Sequence, residues 1–172
     1  MPALILPHHG NSPIIHETAF VADTAVVIGD VEIGPDSGIW FGAIVRGDVN
    51  VVRIGARTNI QDGTVIHVAS RGQGTFIGDD ITIGHMAMLH ACTLESGCFI
   101  GMKACLMDGA CVESGAMVAA GALVTPGNLV RSGQLWAGVP ARHLRDLTAE
   151  EIEFFPRSAR QYVELSKTYM RP

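Results

Sequence analysis

Aliphatic residues recur at every sixth position from Val21 through Val27, Ile33, Ile39 and Val45 to Val51. The series restarts at Ile54, Ile60 and Ile66, and again at Ile77, Ile83 and Leu89. After a five-residue step to Leu94 it resumes through Ile100, Leu106, Val112 and Val118 to Val124. Six matches neither a 3.6-residue helix nor a strand that merely alternates. It matches a hexapeptide β-helix, in which three short strands and three tight corners make one coil of about 18 residues. The anchors then stack as an interior column, and the abundance of Gly (20 residues) suits the corners. The fold class expected is all-β, a parallel β-helix with a C-terminal α-helix.

Residues 1–172 read as a single domain: β-helix over 12–125, loop over 126–147 and C-terminal helix over 148–169. The loop reading rests on Pro126, Gly127, Gly133, Gly138 and Pro140, where the period stops. Thr148 followed three residues later by Glu151 is a capping box. Ile152, Phe155, Ala159, Tyr162, Val163 and Leu165 then follow helical spacing, with Pro156 placed to divide the helix. Such a helix packs along the β-helix wall, and the long flank of the coil makes an oligomer the expectation.

The apolar run Ala3-Leu4-Ile5-Leu6 has no basic region before it and is too short for a signal peptide or a membrane span. A cytoplasmic protein is the default. A net charge of −5 without a block of like charge argues against nucleic acid and membrane as partners. Cys92, Cys98, Cys105 and Cys111 include no C-x-x-C pair and read as buried, reduced thiols.

The phase of the repeat assigns directions to three histidines. Ile66 and Leu89 occupy one face on adjacent coils, with a loop bulging between His67 and Phe76. His67 and His90 each follow their anchor by one residue, so they project together about 4.8 Å apart. His85 follows Ile83 by two residues on the preceding face and does not point to the same spot. A neighbouring subunit could turn its own His85 toward the pair across a threefold interface. Three neutral imidazoles with one open position suit zinc, which lowers the pKa of bound water to about 7; iron and cobalt suit them as well. For each histidine alone the simpler reading is surface decoration.

Arg46 follows Val45 and Gln61 follows Ile60, so these two are expected to stack on adjacent coils. Asp62 takes the offset of His85 one coil below it. Gln61 and Asp62 are the catalytic candidates, placed to orient a water or substrate near the metal. Arg46 and Asp48 form either a pair that locks subunits together or part of the site.

Arg46-Gly47-Asp48, Asn59-Ile60-Gln61-Asp62-Gly63, His67, Gly84-His85 and Leu89-His90 resemble the motif set of the γ-class carbonic anhydrases. Gly138-Val139-Pro140-Ala141-Arg142 and the helix after it are similar to the short bacterial members. The resemblance runs from about Val21 to Val163. It implies a left-handed β-helix, a homotrimer, and one Zn2+ (alternatively Fe2+ or Co2+) at each subunit interface. It also implies His67, His85 and His90 as ligands, and metal-bound hydroxide hydrating CO2 to bicarbonate. Two departures stand out: Val49 and Ser70 occupy positions where archetypal members carry glutamates associated with proton transfer. Tyr162 is a candidate lid over the site, or a helix-packing residue.

Two other readings share the fold. One is a hexapeptide acyltransferase or thioesterase acting on acyl-CoA, with a single His as base. The other is a non-catalytic trimer fastened by metal.

Overall fold

The computed structural model describes residues 2–170. The anchors form three inward columns, each made by parallel strands stacked one coil above another. In the first, Val21, Ile39, Ile60, Ile83, Ile100 and Val118 are register partners in succession. The second joins Val27, Val45, Ile66, Leu89, Leu106 and Val124. The third joins Ile33, Ile54, Ile77, Leu94, Val112 and Val130. From Ile39 upward nearly all of these side chains are sealed from solvent, each worth about 1.5–3 kcal/mol on burial.

Two positions before many anchors, a small residue is buried as well: Ala43, Thr64, Ala87, Ala104 and Ala122 beneath the second column. A larger side chain there has no room in so narrow a coil.

Three parts of the sequence reading need correction. The strand Ile44–Ile54 runs on around a corner, so Val51 is half-buried and is no anchor, while Val52 and Ile54 turn inward. The β-helix starts before residue 12, because Leu4–Leu6 pairs in parallel with Val26, Val27 and Ile28. It also continues past 125. Leu129–Val130 adds a further rung with Val130 fully buried, and Gln134–Gly138 pairs antiparallel with Ala141–Asp146, closing the top of the coil. Pro126, Gly127 and Gly133 serve corners of that last coil, and Gly138 and Pro140 serve the hairpin that follows it.

The helix Ala149–Met170 runs through Pro156 without interruption. Its capping box forms: Glu151 N–H donates to Thr148 Oγ1 (3.2 Å), and Thr148 N–H donates to Glu151 Oε2 (2.9 Å). Phe155 and Ala159 are buried against the first face, where Phe99 stacks on Phe155 with ring centroids 5.2 Å apart. Ile152 and Leu165 of the expected stripe stay exposed. No helix among the described residues is long and apolar enough to cross a membrane.

Candidate metal centre

The corner between the first and second faces repeats once per coil, and its turns place a positive φ at Gly42, Gly63, Met86, Lys103 and Gly121. Each turn fixes the residue just before it on the outer edge. Asp62 and His85 are two such residues, and Met86 N–H donates to the Asp62 carbonyl (2.8 Å), binding one rung to the next. His85 Nδ1 consequently lies 3.0 Å from Asp62 Oδ2.

On the second face, His67 and His90 are register partners. Their ring centroids are 5.2 Å apart, with planes tilted by 52°. The loop between the coils is confined to 68–74, and Thr75 Oγ1 donates to the His67 carbonyl (2.6 Å) as the chain returns. His85 lies around the corner from this pair. Among the described residues, no three His, Cys, Asp or Glu side chains of one chain converge as a metal cage.

Each imidazole carries a carboxylate on one nitrogen. His67 Nε2 meets Asp48 Oδ1 at 3.0 Å, and His90 Nδ1 meets Asp108 Oδ1 at 2.6 Å. Asp48 also pairs with Arg46. Burial would raise the Asp48 carboxyl, but hydrogen bonds from His67 and Arg46, with the charge of Arg46, outweigh it and hold the pKa at about 2. A carboxylate that receives the N–H at one ring nitrogen leaves the lone pair on the other. No hydrogen-bond or ion-pair partner among the described residues meets His67 Nδ1, His85 Nε2 or His90 Nε2. Each imidazole thus keeps one ring nitrogen without such a partner, and a set of three imidazole nitrogens is chemistry that fits a divalent transition metal.

Arg46 and Gln61 do not stack. Val45 pairs with Ile66, so Arg46 lies under His67, whereas Ile60 sits between Ile39 and Ile83 on the first face. Gln61 is only 4% exposed; its Nε2 donates to Asn59 Oδ1 (3.0 Å), and Asn59 Nδ2 donates to Thr82 Oγ1 (3.0 Å). Thr82 Oγ1 in turn meets Ser158 Oγ at 2.9 Å, tying this chain of polar groups to the helix. The helix brings Tyr162 to the same cleft as Gln61 and His85, edge-on to Trp40 at 5.5 Å between centroids. Burial, reinforced by the charge of Asp62, raises the Tyr162 phenol.

Asp108 escaped sequence reading, although it follows Leu106 by two residues, one coil above His90. That offset was available as a signal. Cys92 and Cys98 are buried free thiols, with burial pushing Cys92 up to about 12. Cys105 and Cys111 point outward instead and are only half-buried.

No family model matches the chain. A carbonic anhydrase from Geobacillus kaustophilus is 43% identical over 96% of this chain and 91% of its own length. The chain belongs to the γ-class carbonic-anhydrase-like family of hexapeptide-repeat proteins. The mitochondrial γ carbonic anhydrase 1 of Arabidopsis thaliana is 52% identical over 92% of this chain. The chain spans only about 60% of that relative's length. A solved hexapeptide transferase family protein from Anaplasma phagocytophilum superposes with a TM-score of 0.93, at 48% identity over 96% of this chain and 98% of its own.

Proposed function

We propose that this family member hydrates CO2 to bicarbonate at a divalent ion shared between subunits of a homotrimer. In this reading His67 and His90 of one subunit and His85 of its neighbour hold the ion, with Zn2+ the first choice and Fe2+ or Co2+ the alternatives. The observation that carries it is the pairing of His67 with His90 across one rung while His85 faces around the corner. A bound ion supplies Lewis-acid activation of water at neutral pH.

The remaining work falls to the protein. Asp48 and Asp108 orient His67 and His90 by hydrogen bonds, and Asp62 lies against His85 Nδ1. Gln61, fixed by Asn59, presents its carboxamide oxygen to the cleft and orients the reactants, and Tyr162 covers them as a lid. Val49 and Ser70 offer no carboxylate to carry away the proton that hydration releases, so turnover is slow.

Trimer assembly has its own support. Outward positions of the second face form an apolar ladder of Ile44, Val65, Met88, Cys105 and Leu123, whose members are register partners. Ile44 is 37% and Met88 41% exposed in the single chain, and a subunit contact beside the histidines covers them.

The test is stopped-flow CO2 hydration on protein purified without oxygen, with elemental analysis of the same sample. The reading expects about one metal per chain and hydration abolished by a chelator. Metal-free trimers that turn over acyl-CoA would favour the transferase reading that the Anaplasma relative's name suggests; full metal without turnover would favour a structural role.

A further inference from the structure

On the first face, the outward residue after the anchor shrinks from Trp40 and Gln61 to Gly84, Gly101 and Ala119 on the later coils. Backbone packing demands the two glycines. A Cβ on Gly84 would lie 2.6 Å from Met102 N, and one on Gly101 would lie 2.4 Å from Ala120 N. The helix Ala149–Met170 bridges the trench that results, leaving a cleft of about 350 Å³ that begins at His85. Carbon dioxide has three heavy atoms and takes up about as much space as two waters, ~60 Å³. The cleft has the size of a site for a larger molecule.

Its chemistry changes along its length. Near His85 the walls are polar but uncharged: Gln61, Gln161, Tyr162 and the linked hydroxyls of Thr82 and Ser158. Farther on, Phe99, Met117 and Phe154 make an apolar stretch. These same three side chains line a second cleft of about 270 Å³ that leads to Arg157 and Glu150, so the two form one trough. Among the described residues, no Lys, Arg, Asp or Glu lines the part that reaches His85.

We propose that this trough binds a short acyl chain, its carbonyl end at His85 and its alkyl tail against Phe99, Met117 and Phe154. The ligand class is an uncharged carbonyl compound such as an ester, thioester or amide of a few carbons. The assignment rests on the reading of His85 as part of the reaction centre, and it adds a second, larger ligand to that centre. Polar walls offer a carbonyl hydrogen-bonding partners, and in the metal-free protein the Asp62 carboxylate, 3.0 Å from His85 Nδ1, repels an anionic ligand at that end.

Hexanamide is the probe, followed by nuclear magnetic resonance on the full-length, chelator-treated protein. The expected result is saturable binding, with His85 ring resonances shifting and those of His143, which does not line the trough, unmoved. Gln161→Trp, a change at an exposed helix position, fills the cleft and weakens binding at least about tenfold. Met117→Trp is the second blocking variant, and melting curves confirm that both fold. No binding by the wild type, or equal binding by wild type and both folded variants, overturns the proposal. Hexanamide binding in a protein that never takes up metal upholds the cleft while sinking the metal reading, so the two fail separately.

Discussion

His90 Nδ1 lies 2.6 Å from Asp108 Oδ1, one coil above, so the tautomer of the imidazole is fixed from outside its own coil. The relation is reciprocal in placement to that of His67, whose carboxylate partner Asp48 comes from the coil below. The paired histidines are clamped from opposite ends.

Removing the upper clamp is therefore expected to loosen metal binding and leave the coil intact. Asp108→Ala should weaken affinity by about 10–100-fold, read by competition with a chromogenic chelator. Asp108 is half-exposed, so the melting temperature should barely change. Unchanged affinity would show that Asp108 does no more than decorate the corner.

Val49 and Ser70 mark the missing proton exit. A Val49→Glu, Ser70→Glu double variant is expected to raise CO2 hydration by roughly ten- to a hundredfold, toward the range general acid–base groups supply. Stopped-flow assays at low and high buffer decide it. If added buffer rescues the wild type and not the variant, proton removal is the slow step; no gain at any buffer level rules that out.

The capping box carries an acid-sensitive contribution to stability. Hydrogen bonds from Arg145, and after them from Thr148, hold the Glu151 carboxyl at about 2, below the ordinary glutamate value of 4.5. The folded state thus favours the charged form. Its contribution is full above about pH 4.5 and is lost as pH falls toward about 2. Glu151→Gln should flatten the melting temperature across that window, measured by circular dichroism. An unaltered slope would place the acid sensitivity elsewhere.

The inward column sets the fold's stability. Leu106, wholly buried between Leu89 and Val124, should cost about 2–5 kcal/mol when cut to Ala. Chemical denaturation of the metal-free protein measures this.

Much of this was legible in the six-residue period, because each anchor's phase dictates a face. That is why the alignment of His67 with His90 and the diverging aim of His85 could be read before any coordinates. The reading failed where a corner takes extra residues. Between Val45 and Ile54 the strand bends without losing its pairing, so counting by six placed Val51 inside and put Arg46 on the wrong face. It fails again at 126–147, where Pro and Gly suggest the end of the coil although Val130 and Trp136 keep the inward pattern. Gly42 and Gly63 show the cause: glycines in this fold mark corners, and corners recur inside the regular structure. Asp108 carries its signal two residues after its anchor Leu106, but its partner His90 stands one coil below at an offset of one, so the pair does not show as a repeat of a single offset.

The shared site is tested most directly by intersubunit complementation. His85→Ala and His90→Ala chains are purified separately, each expected to hold no metal, then unfolded, mixed equally and refolded. A site built from His67 and His90 of one subunit and His85 of another is restored wherever the two variants meet in the right order, about a quarter of sites on random mixing. Recovery of metal near that level, with CO2 hydration returning in proportion, is the expected result. Full metal in either variant alone, or none in the mixed trimers, would contradict a site shared between subunits.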